Sequence, residues 1–271
     1  MAILIPRKKD YWQRKPSIPV EIKTDIGLSR AFILDGDGVK DLVAGRDGIN
    51  SGAVYSSNET ADSVLSFNGT TDYVNLGTEP YHSGKLAIIS GFTARSIAAY
   101  QMIVANDESV TNARDFQFRT NASTGLIEFI PFVGGVNYSA VSTTPAVVGE
   151  RLVAGCNHDG TTSKVYIDGA MEGSAAVSGN LDADGGHLAL GARIRNAAVT
   201  DIVDYFNSDI EFAWVFNRSL SDDEHQEYAA NPYQILKPRR KYWVLPTAAA
   251  PTGFQAAWAM AANNLIGAGF N

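Results

Sequence analysis

The chain has 271 residues, a formal net charge of -7 and a single cysteine, Cys156. This length suits one large all-β domain or two ordinary domains, and it can bury a substantial core. One cysteine excludes an internal disulfide framework, and four histidines offer little material for a zinc cluster. No apolar stretch reaches the ~18 residues that span a bilayer, so we expect no membrane span and no signal peptide.

The charge is distributed unevenly along the chain. Residues 1–24 carry six Lys or Arg against two acids, and residues 236–271 carry four basic residues and no acid. Each end therefore has a charge of +4, and residues 25–235 carry −15. Such asymmetry bears on partners rather than on fold. Nucleic acid is disfavoured as a partner, because the acidic body would repel phosphates.

The N-terminal segment, residues 1–50, is predicted to be an extended arm followed by a turn-rich lead-in. Three prolines among the first 19 residues disfavour a regular helix. Tyr11 and Trp12 are too apolar for a plain linker, so we expect the arm to dock on something. Glycine- and aspartate-rich turns follow at residues 35–38 and 45–48.

From about residue 61, short β-forming runs alternate with turns, which is typical of a sandwich or jelly roll. Asn68-Gly69 between two such runs predicts a hairpin. No run is followed by a long amphipathic segment, which disfavours βαβ units. In chain order the predicted strands are 63–67, 73–76, 86–93, 100–105, 115–120, 126–133, 151–156, 164–167, 187–190 and 210–216.

Two patterns of aromatic residues and one capping motif predict local structure in this β-rich region. Phe116 and Phe118 alternate with Gln117 and Arg119, so the two pairs face opposite sides of one strand. In the last strand the aromatic residues again share one face, and we expect these aromatic side chains to be core. A short helix then begins with a capping box that Ser221-Asp222-Asp223-Glu224 supplies, and Pro232 ends it.

Four segments carry a family resemblance: SFNGTTDYV at 66–74, AGCNHDGTTSKVYIDG at 154–169, LALG at 188–191 and DIEFAWVFNRSLSDDE at 209–224. In this order they resemble laminin-G-like (concanavalin A-like) jelly rolls. The resemblance implies an all-β fold: an antiparallel two-sheet jelly-roll sandwich over residues 51–235, with one short helix near its C-terminal end and extended terminal arms. A basic, then Ala/Gly-rich segment at 236–271 follows.

A narrower resemblance lies in residues 1–6, 27–30, 41–45 and 231–238. These segments are similar to the flanks of laminin-G-like proteins that tailed bacteriophages encode. The resemblance implies a structural virion component, made in the cytoplasm of the bacterial host and associated with the tail tip or fibre. A capsid decoration protein is the alternative. Other virion proteins and further copies of the chain are the implied partners, so we expect a homo-oligomer.

Residues that would support catalysis are scarce. Glucanases of the concanavalin type use a Glu-x-Asp-x-Glu strand, and this sequence has none. Asp209 and Glu211 share a strand face, which we expect to be a solvent-facing edge. His158 has no matching nucleophile, because Cys156 is expected to be a small buried hydrophobe. The other three histidines are isolated along the sequence, so we predict that the protein is not an enzyme.

A cofactor is not predicted, although calcium stays open. Asp35-Gly36-Asp37-Gly38 and Asp182-Ala183-Asp184-Gly185 resemble the start of an EF-hand loop. The twelfth position needs a bidentate Glu, and Arg46 and Arg193 stand there instead. A jelly-roll loop could still gather calcium from scattered oxygens.

Two sets of contact residues are predicted. Aromatic side chains beside turns can stack on the apolar face of a sugar. A carbohydrate-binding module is therefore an alternative function, with host-surface polysaccharide as its ligand. The predicted sugar contacts are Tyr100, Tyr138 and Tyr205. Tryptophan is enriched at interfaces, so the predicted assembly contacts are Tyr11, Trp12, Arg239, Arg240, Trp243 and Trp258. The ends either bind neighbouring subunits or fold back on an edge of the same jelly roll.

Overall fold

A computed structural model describes residues 20–22, 28–35, 38–41, 47–56, 64–78, 82, 84–183 and 185–238. It contains one α-helix, α1 (Asp222–Ala230), and a short 3₁₀ segment (Pro232–Ile235). The strands are β1 (Val20–Ile22), β2 (Leu28–Asp35), β3 (Gly38–Asp41), β4 (Ile49–Ser51), β5 (Val54–Ser56), β6 (Val64–Asn68), β7 (Tyr73–Asn75), β8 (Leu86–Ala94), β9 (Gln101–Glu108), β10 (Ala113–Thr120), β11 (Leu126–Val133), β12 (Val136–Asn137), β13 (Ala140–Pro145), β14 (Arg151–His158), β15 (Thr162–Ile167), β16 (Ala170–Ala176), β17 (Leu188–Leu190), β18 (Arg193–Ile194), β19 (Ile202–Val203), β20 (Asn207–Phe216) and β21 (Leu236–Pro238).

Most of these strands form two antiparallel sheets, which confirms the predicted jelly-roll sandwich. The first sheet has eight strands in the order β12-β11-β10-β9-β17-β7-β4, and β13 also pairs with β11. The second sheet has nine strands in the order β16-β15-β14-β8-β20-β2-β3. In this sheet β6 pairs with β20, and β5 pairs with β6. Within the described ranges, no helix is long and apolar enough to cross a lipid bilayer.

The main core lies between the two sheets. Phe116 and Phe118 enter it from β10, and Phe92 enters it from β8. All three side chains are fully buried. The Phe92 ring meets the Phe206 ring edge to face, with the centroids 5.3 Å apart. Alternation along each strand therefore places one set of residues inside the sandwich and the other set on an outer face.

A second, smaller core covers the outer face of the second sheet. Phe212, Trp214 and Phe216 of β20 lie in it together with Tyr228 of α1. The indole Nε1 of Trp214 donates a hydrogen bond to the carbonyl oxygen of Pro232 at 3.1 Å. The predicted aromatic face of β20 is thus buried, but beneath the helix rather than between the sheets.

Residues in the first turn of α1 attach the helix to the outer face of the second sheet. The capping box of Ser221 and Glu224 is present, as predicted. The Tyr166 hydroxyl of β15 donates to the Asp222 carboxylate at 2.7 Å, and the ring of Tyr166 stacks on that of His225 with the centroids 3.7 Å apart. A buried aromatic stack and a charged hydrogen bond therefore fix α1 to β15.

The predicted hairpin at Asn68-Gly69 is wrong. The strand before this turn, β6, belongs to the second sheet, whereas β7 after it belongs to the first. The Asn68 carboxamide oxygen accepts hydrogen bonds from the N–H groups of Thr70 and Thr71, at 2.8 and 2.9 Å. These side-chain bonds stabilise a turn without cross-strand pairing, and the turn carries the chain from one sheet to the other.

Strands from the N-terminal segment contribute to the sandwich. β2 pairs with β20, and β3 pairs with β2, so the second sheet continues on the N-terminal side of residue 51. β1 pairs with β21 in a separate two-stranded ribbon, with Val20 opposite Pro238. The remainder of the predicted terminal arms lies outside the described residues.

The buried His225 predicts a loss of stability in acid. Burial lowers its pKa to about 3, whereas an unfolded imidazole has a pKa of about 6.5. Unfolding below pH 6.5 therefore takes up a proton, so this contribution is complete above pH 6.5 and is lost as the pH falls towards 3. We expect the free energy of unfolding to fall by about 2–3 kcal/mol between pH 7 and pH 4.5.

Urea denaturation at the two pH values measures this difference. His225→Phe keeps an aromatic ring against Tyr166 and removes its titrating group, so the variant should lose the share of the pH dependence due to His225 and keep that of His158, whose pKa is also lowered by burial. The pKa values of Asp222 and Glu224 are lowered by hydrogen bonds, so these carboxylates lose their contributions mainly below pH 4.5. An unchanged slope in His225→Phe would contradict the assignment.

Candidate functional site

Within the described ranges, the outer face of the first sheet carries a polar network rather than a covering helix. Because Phe116 and Phe118 point into the core, Gln117 and Arg119 lie on the outer face, as the alternation predicts. A β-bulge between Arg114 and Phe116 brings Arg114 to this face as well. We call the surface formed by Arg114, Arg119 and Arg193 with their hydrogen-bond partners the arginine face.

The Asp107 carboxylate of β9 is the centre of the arginine face, and its side chain is fully buried. It accepts hydrogen bonds from Arg114 Nε at 2.6 Å and from Arg193 Nη1 at 3.2 Å. The Gln117 amide also donates to it. The other terminal nitrogen of Arg193 pairs with Asp204 at 3.0 Å. Two cations and an amide therefore compensate one buried carboxylate.

A second group of bonds extends the network along β10. Arg119 Nε donates to Glu128 of β11 at 2.8 Å, and Arg119 Nη1 donates to the Gln117 carboxamide oxygen at 2.9 Å. Asn121 donates to the other Glu128 oxygen. Gln117 thus joins the two halves, since its amide nitrogen binds Asp107 and its oxygen binds Arg119. The guanidinium groups are held in fixed positions.

Each end of the arginine face has an arginine over an aromatic ring. The guanidinium carbon of Arg114 lies 4.1 Å from the centroid of Phe132, and that of Arg119 lies 4.2 Å from the centroid of Tyr100. Both distances are those of a cation–π contact. Phe132 is buried, whereas Tyr100 is 43% exposed. Tyr100 therefore presents part of its ring to solvent.

A cleft of about 250 Å³ lies at the Arg114 end of this face. Its lining combines side-chain groups with the backbone of a glycine turn: Asn112, Arg114, Phe132, Gly134, Gly135 and Asp182. The Asp182 carboxylate accepts hydrogen bonds from the N–H groups of Gly134 and Gly135, at 2.8 and 2.9 Å. The cleft is smaller than a pocket for a drug-sized ligand, and its donors and acceptors suit a small polar group such as a sugar ring.

The paired carboxylates of β20 do not form a solvent-facing edge, and that prediction is wrong. Glu211 is buried, and Arg151 Nε donates to its two oxygens at 2.7 and 2.9 Å. Asp209 accepts from the Ser66 hydroxyl at 2.6 Å. β20 is a central strand with neighbours on both sides, and a bulge beside Glu211 breaks the simple alternation.

Histidines that are isolated along the sequence have polar partners in space. His82 Nε2 lies 3.3 Å from Asp115 Oδ2, and His187 Nδ1 hydrogen-bonds Glu108. His158 is buried between Ser163 and the carbonyl of Gly179, and burial lowers its pKa. Each of these imidazole rings is therefore held in position by hydrogen bonds within the fold.

Cys156 is fully buried, and burial raises the pKa of its thiol, so the prediction of a small buried hydrophobe is confirmed. In the described part of the chain, no cluster of three or more His, Cys, Asp or Glu could hold a metal ion. Asp182 of the second EF-hand-like string binds the glycine turn, while Asp184 lies outside the described residues. Calcium binding stays a prediction.

The structure places the predicted contact residues differently from one another. Tyr100 lies on the arginine face. Tyr205 follows Asp204 in the chain and is partly buried, and burial raises its pKa. Tyr138 packs against the core between the sheets, so we leave it out of the site. The predicted assembly contacts lie outside the described residues: Tyr11, Trp12, Arg239, Arg240, Trp243 and Trp258.

Sequence reasoning did not identify the central residues of the site. Asp107 and Arg114 lie just outside the predicted strands 100–105 and 115–120, and the structure extends both strands to include them. The available signal was the alternation at 115–120, which places Gln117 and Arg119 together but does not reveal their partners. Those partners come from β9, β11 and the β18 region, and only the sheet order brings them together.

An antiparallel two-sheet sandwich of this order defines a jelly-roll domain. Residues 68–224, more than half of the chain, match the concanavalin A-like lectin/glucanases superfamily, and the chain belongs to this family. The predicted laminin-G-like relationship is therefore confirmed. Among curated protein sequences, none matches this chain.

Solved structures share the fold at low sequence identity. Domain 4 of AbnA, a GH43 extracellular arabinanase from Geobacillus stearothermophilus in complex with arabinotriose, superposes with a TM-score of 0.61 at 12% identity, covering 78% of this chain and 98% of that one. The binding domain of Paraclostridial Mosquitocidal Protein 1 has a TM-score of 0.59 at 9% identity, covering 75% and 52%. The receptor binding domain of botulinum neurotoxin mosaic serotype C/D has a TM-score of 0.55 at 11% identity, covering 76% and 51%. This chain thus spans about half the length of the two toxin domains.

Removal of the central carboxylate should destabilise the sandwich. Asp107→Ala leaves Arg193 and Gln117 without their shared acceptor, so we expect the free energy of unfolding to fall by about 3–5 kcal/mol. Asp204→Ala is the matched control, because it removes the other, more exposed partner of Arg193. The control substitution should lower the free energy of unfolding by less than about 1 kcal/mol. Urea denaturation measures both, and equal losses would show that Asp107 is not the centre of the network.

Proposed function

We propose that this chain is a carbohydrate-binding jelly-roll module and that the arginine face with its adjoining cleft is the binding surface. The observation that carries the proposal is the network around Asp107, which fixes three guanidinium groups beside an exposed aromatic ring. Sugar hydroxyls need donors and acceptors in fixed positions, and an apolar sugar face needs an aromatic surface. Side chains already bonded to one another lose little further freedom when a ligand binds.

The structural neighbours support a binding role. One of them was solved with arabinotriose, and two others are the binding domains of toxins. At 9 to 12% identity these likenesses concern the fold, so the assignment of the surface depends on the arginine face.

The state of the carboxylates favours binding over hydrolysis. A glycosidase places two carboxyl groups on either side of the scissile bond, where one donates a proton and the other attacks or activates water. On the arginine face, Asp107 and Glu128 are buried and accept hydrogen bonds from arginines. Both are therefore engaged as structural acceptors, and we propose a module without catalytic activity.

Removal of the polar and aromatic ends of the face should weaken glycan binding. In the double variant Tyr100→Ala/Asn112→Gly, the exposed ring and the cleft amide are lost. Glycine suits position 112, because Asn112 has a positive φ of 62°. Against a panel of plant and bacterial surface polysaccharides, we expect affinity to fall at least about tenfold.

Met171→Ala is the control for this experiment, since Met171 is an exposed apolar residue of β16 in the second sheet. Met171→Ala should bind like the unaltered protein. Both variants should remain folded without urea, and the double variant should unfold at a slightly lower urea concentration because it loses the cation–π contact with Arg119. Equal binding by the double variant, or no binding of any polysaccharide by the unaltered protein, would contradict the proposal.

The resemblance of the flanks favours a second proposal, that the chain is a structural component of a tailed-phage virion, associated with the tail tip or fibre. The two basic, tryptophan-bearing ends on an acidic body support attachment through the ends. Glycan binding and a virion location are compatible, because a module held on a particle can present its jelly roll to host-surface polysaccharide. Capsid decoration is the alternative location.

Truncation and counting test the virion proposal. Deletion of residues 1–19 or 239–271 leaves β1 and β21 in place, so we expect a folded body that no longer enters particles. Normal incorporation of both truncated chains would refute attachment through the ends. The copy number per particle separates the locations, since capsid symmetry requires far more copies than a tail.

A further inference from the structure

We infer that the arginine face binds an internal stretch of a neutral, linear glycan of at least three sugar residues, rather than a single terminal sugar. This inference rests on the proposed carbohydrate-binding function and specifies the class of ligand. The positions of the binding groups along β10 and the balance of charge on the face support it.

The first argument is length. Asn112 beside Arg114 and Tyr100 beside Arg119 lie just beyond opposite ends of the β9–β10 pair, and the seven residue steps of β9 between those ends span about 23 Å. Each of these arginines is paired with an aromatic ring. Two linked sugar rings are shorter than this distance, so a ligand that contacts both ends needs at least one more sugar residue.

The second argument is the distribution of the contacts. The cleft with Asn112 lies at the Arg114 end, and the exposed ring of Tyr100 lies at the Arg119 end. Between them lie the partly exposed guanidinium groups of Arg114 and Arg119, which the buried Gln117 links through Asp107. A site for one terminal sugar gathers its polar groups around a single pocket. Here the groups follow the strand, as an extended chain requires.

The third argument is charge. The three cations Arg114, Arg119 and Arg193 are matched by three carboxylates, those of Asp107, Glu128 and Asp204. The face therefore has no net charge to attract an anion. The body of the protein, residues 25–235, carries −15 and would repel a polyanionic glycan. A neutral chain of hydroxyl-bearing sugars meets both conditions.

The test is a set of oligosaccharide ladders, from monosaccharide to hexasaccharide, measured by calorimetry with the full chain. The neutral ladders are arabinan, xylan, cellulose, mannan and starch fragments. Mannuronate oligosaccharides provide the acidic match to the mannan ladder. We expect one neutral series to bind, with an affinity that rises at least about tenfold between disaccharide and tetrasaccharide and then levels off.

Single variants locate the two ends of the ligand. Tyr100→Ala should remove the gain between disaccharide and tetrasaccharide while leaving disaccharide affinity within about twofold. Asn112→Gly should weaken every length by a similar factor, because the cleft holds the part of the ligand that short and long chains share. Met171→Ala, on the other sheet, should reproduce the unaltered ladder.

The outcomes separate this inference from the proposed function. A neutral series in which the monosaccharide binds as well as the hexasaccharide overturns the extended mode and leaves carbohydrate binding intact. Preference for mannuronate over mannan overturns the neutral ligand in the same way. Loss of affinity in Tyr100→Ala at all lengths also overturns the two-ended arrangement. Absence of binding to every ladder and every polysaccharide of the panel overturns both.

Discussion

The structure depends on the burial of both faces of β20. Its alternate residues enter two different cores: Ala213 and Val215 face the first sheet, whereas Phe212, Trp214 and Phe216 face α1. The same strand pairs with β8 on one side and with β6 and β2 on the other. A strand that is apolar on both faces must be covered twice. In this protein one face is covered by the opposing sheet and the other by the capped helix.

This constraint bears on where we place the proposed binding surface. Because α1 and the 3₁₀ segment cover the outer face of the second sheet, the broad polar surface within the described residues is the outer face of the first. Its buried carboxylate, Asp107, would be unfavourable alone, and the surrounding arginines compensate it. The compensation leaves guanidinium groups in fixed positions at the surface. The ion pairs that stabilise β9 and β10 thus also organise the proposed binding site.

The sequence predicted the class of fold well and the site poorly. Strand alternation, the capping box of Ser221 and Glu224, and the family motifs are local signals, and the structure bears out the sandwich and the helix. Pairing between distant strands is not local. The sequence of Asn68-Gly69 therefore predicted a hairpin, although this turn joins the two sheets. Glu211 was predicted to face solvent, although it is buried and paired with Arg151. Asp107 and its partners come from separate strands, so their network could not be read from spacing.

The carboxylates of the arginine face are more deeply buried than the guanidinium groups that pair with them. Asp107 and Glu128 lie beneath their arginines, with side chains 0% and 9% exposed, whereas Arg114 is 30% exposed. A ligand on this face therefore meets donors first, and the acceptors below keep those donors from moving. Acid–base chemistry needs a carboxyl group that can reach the ligand and change its protonation state. Rigid donors above buried acceptors suit the proposed recognition of sugar hydroxyls, and the same bonds that make the face rigid engage its carboxylates as structural acceptors.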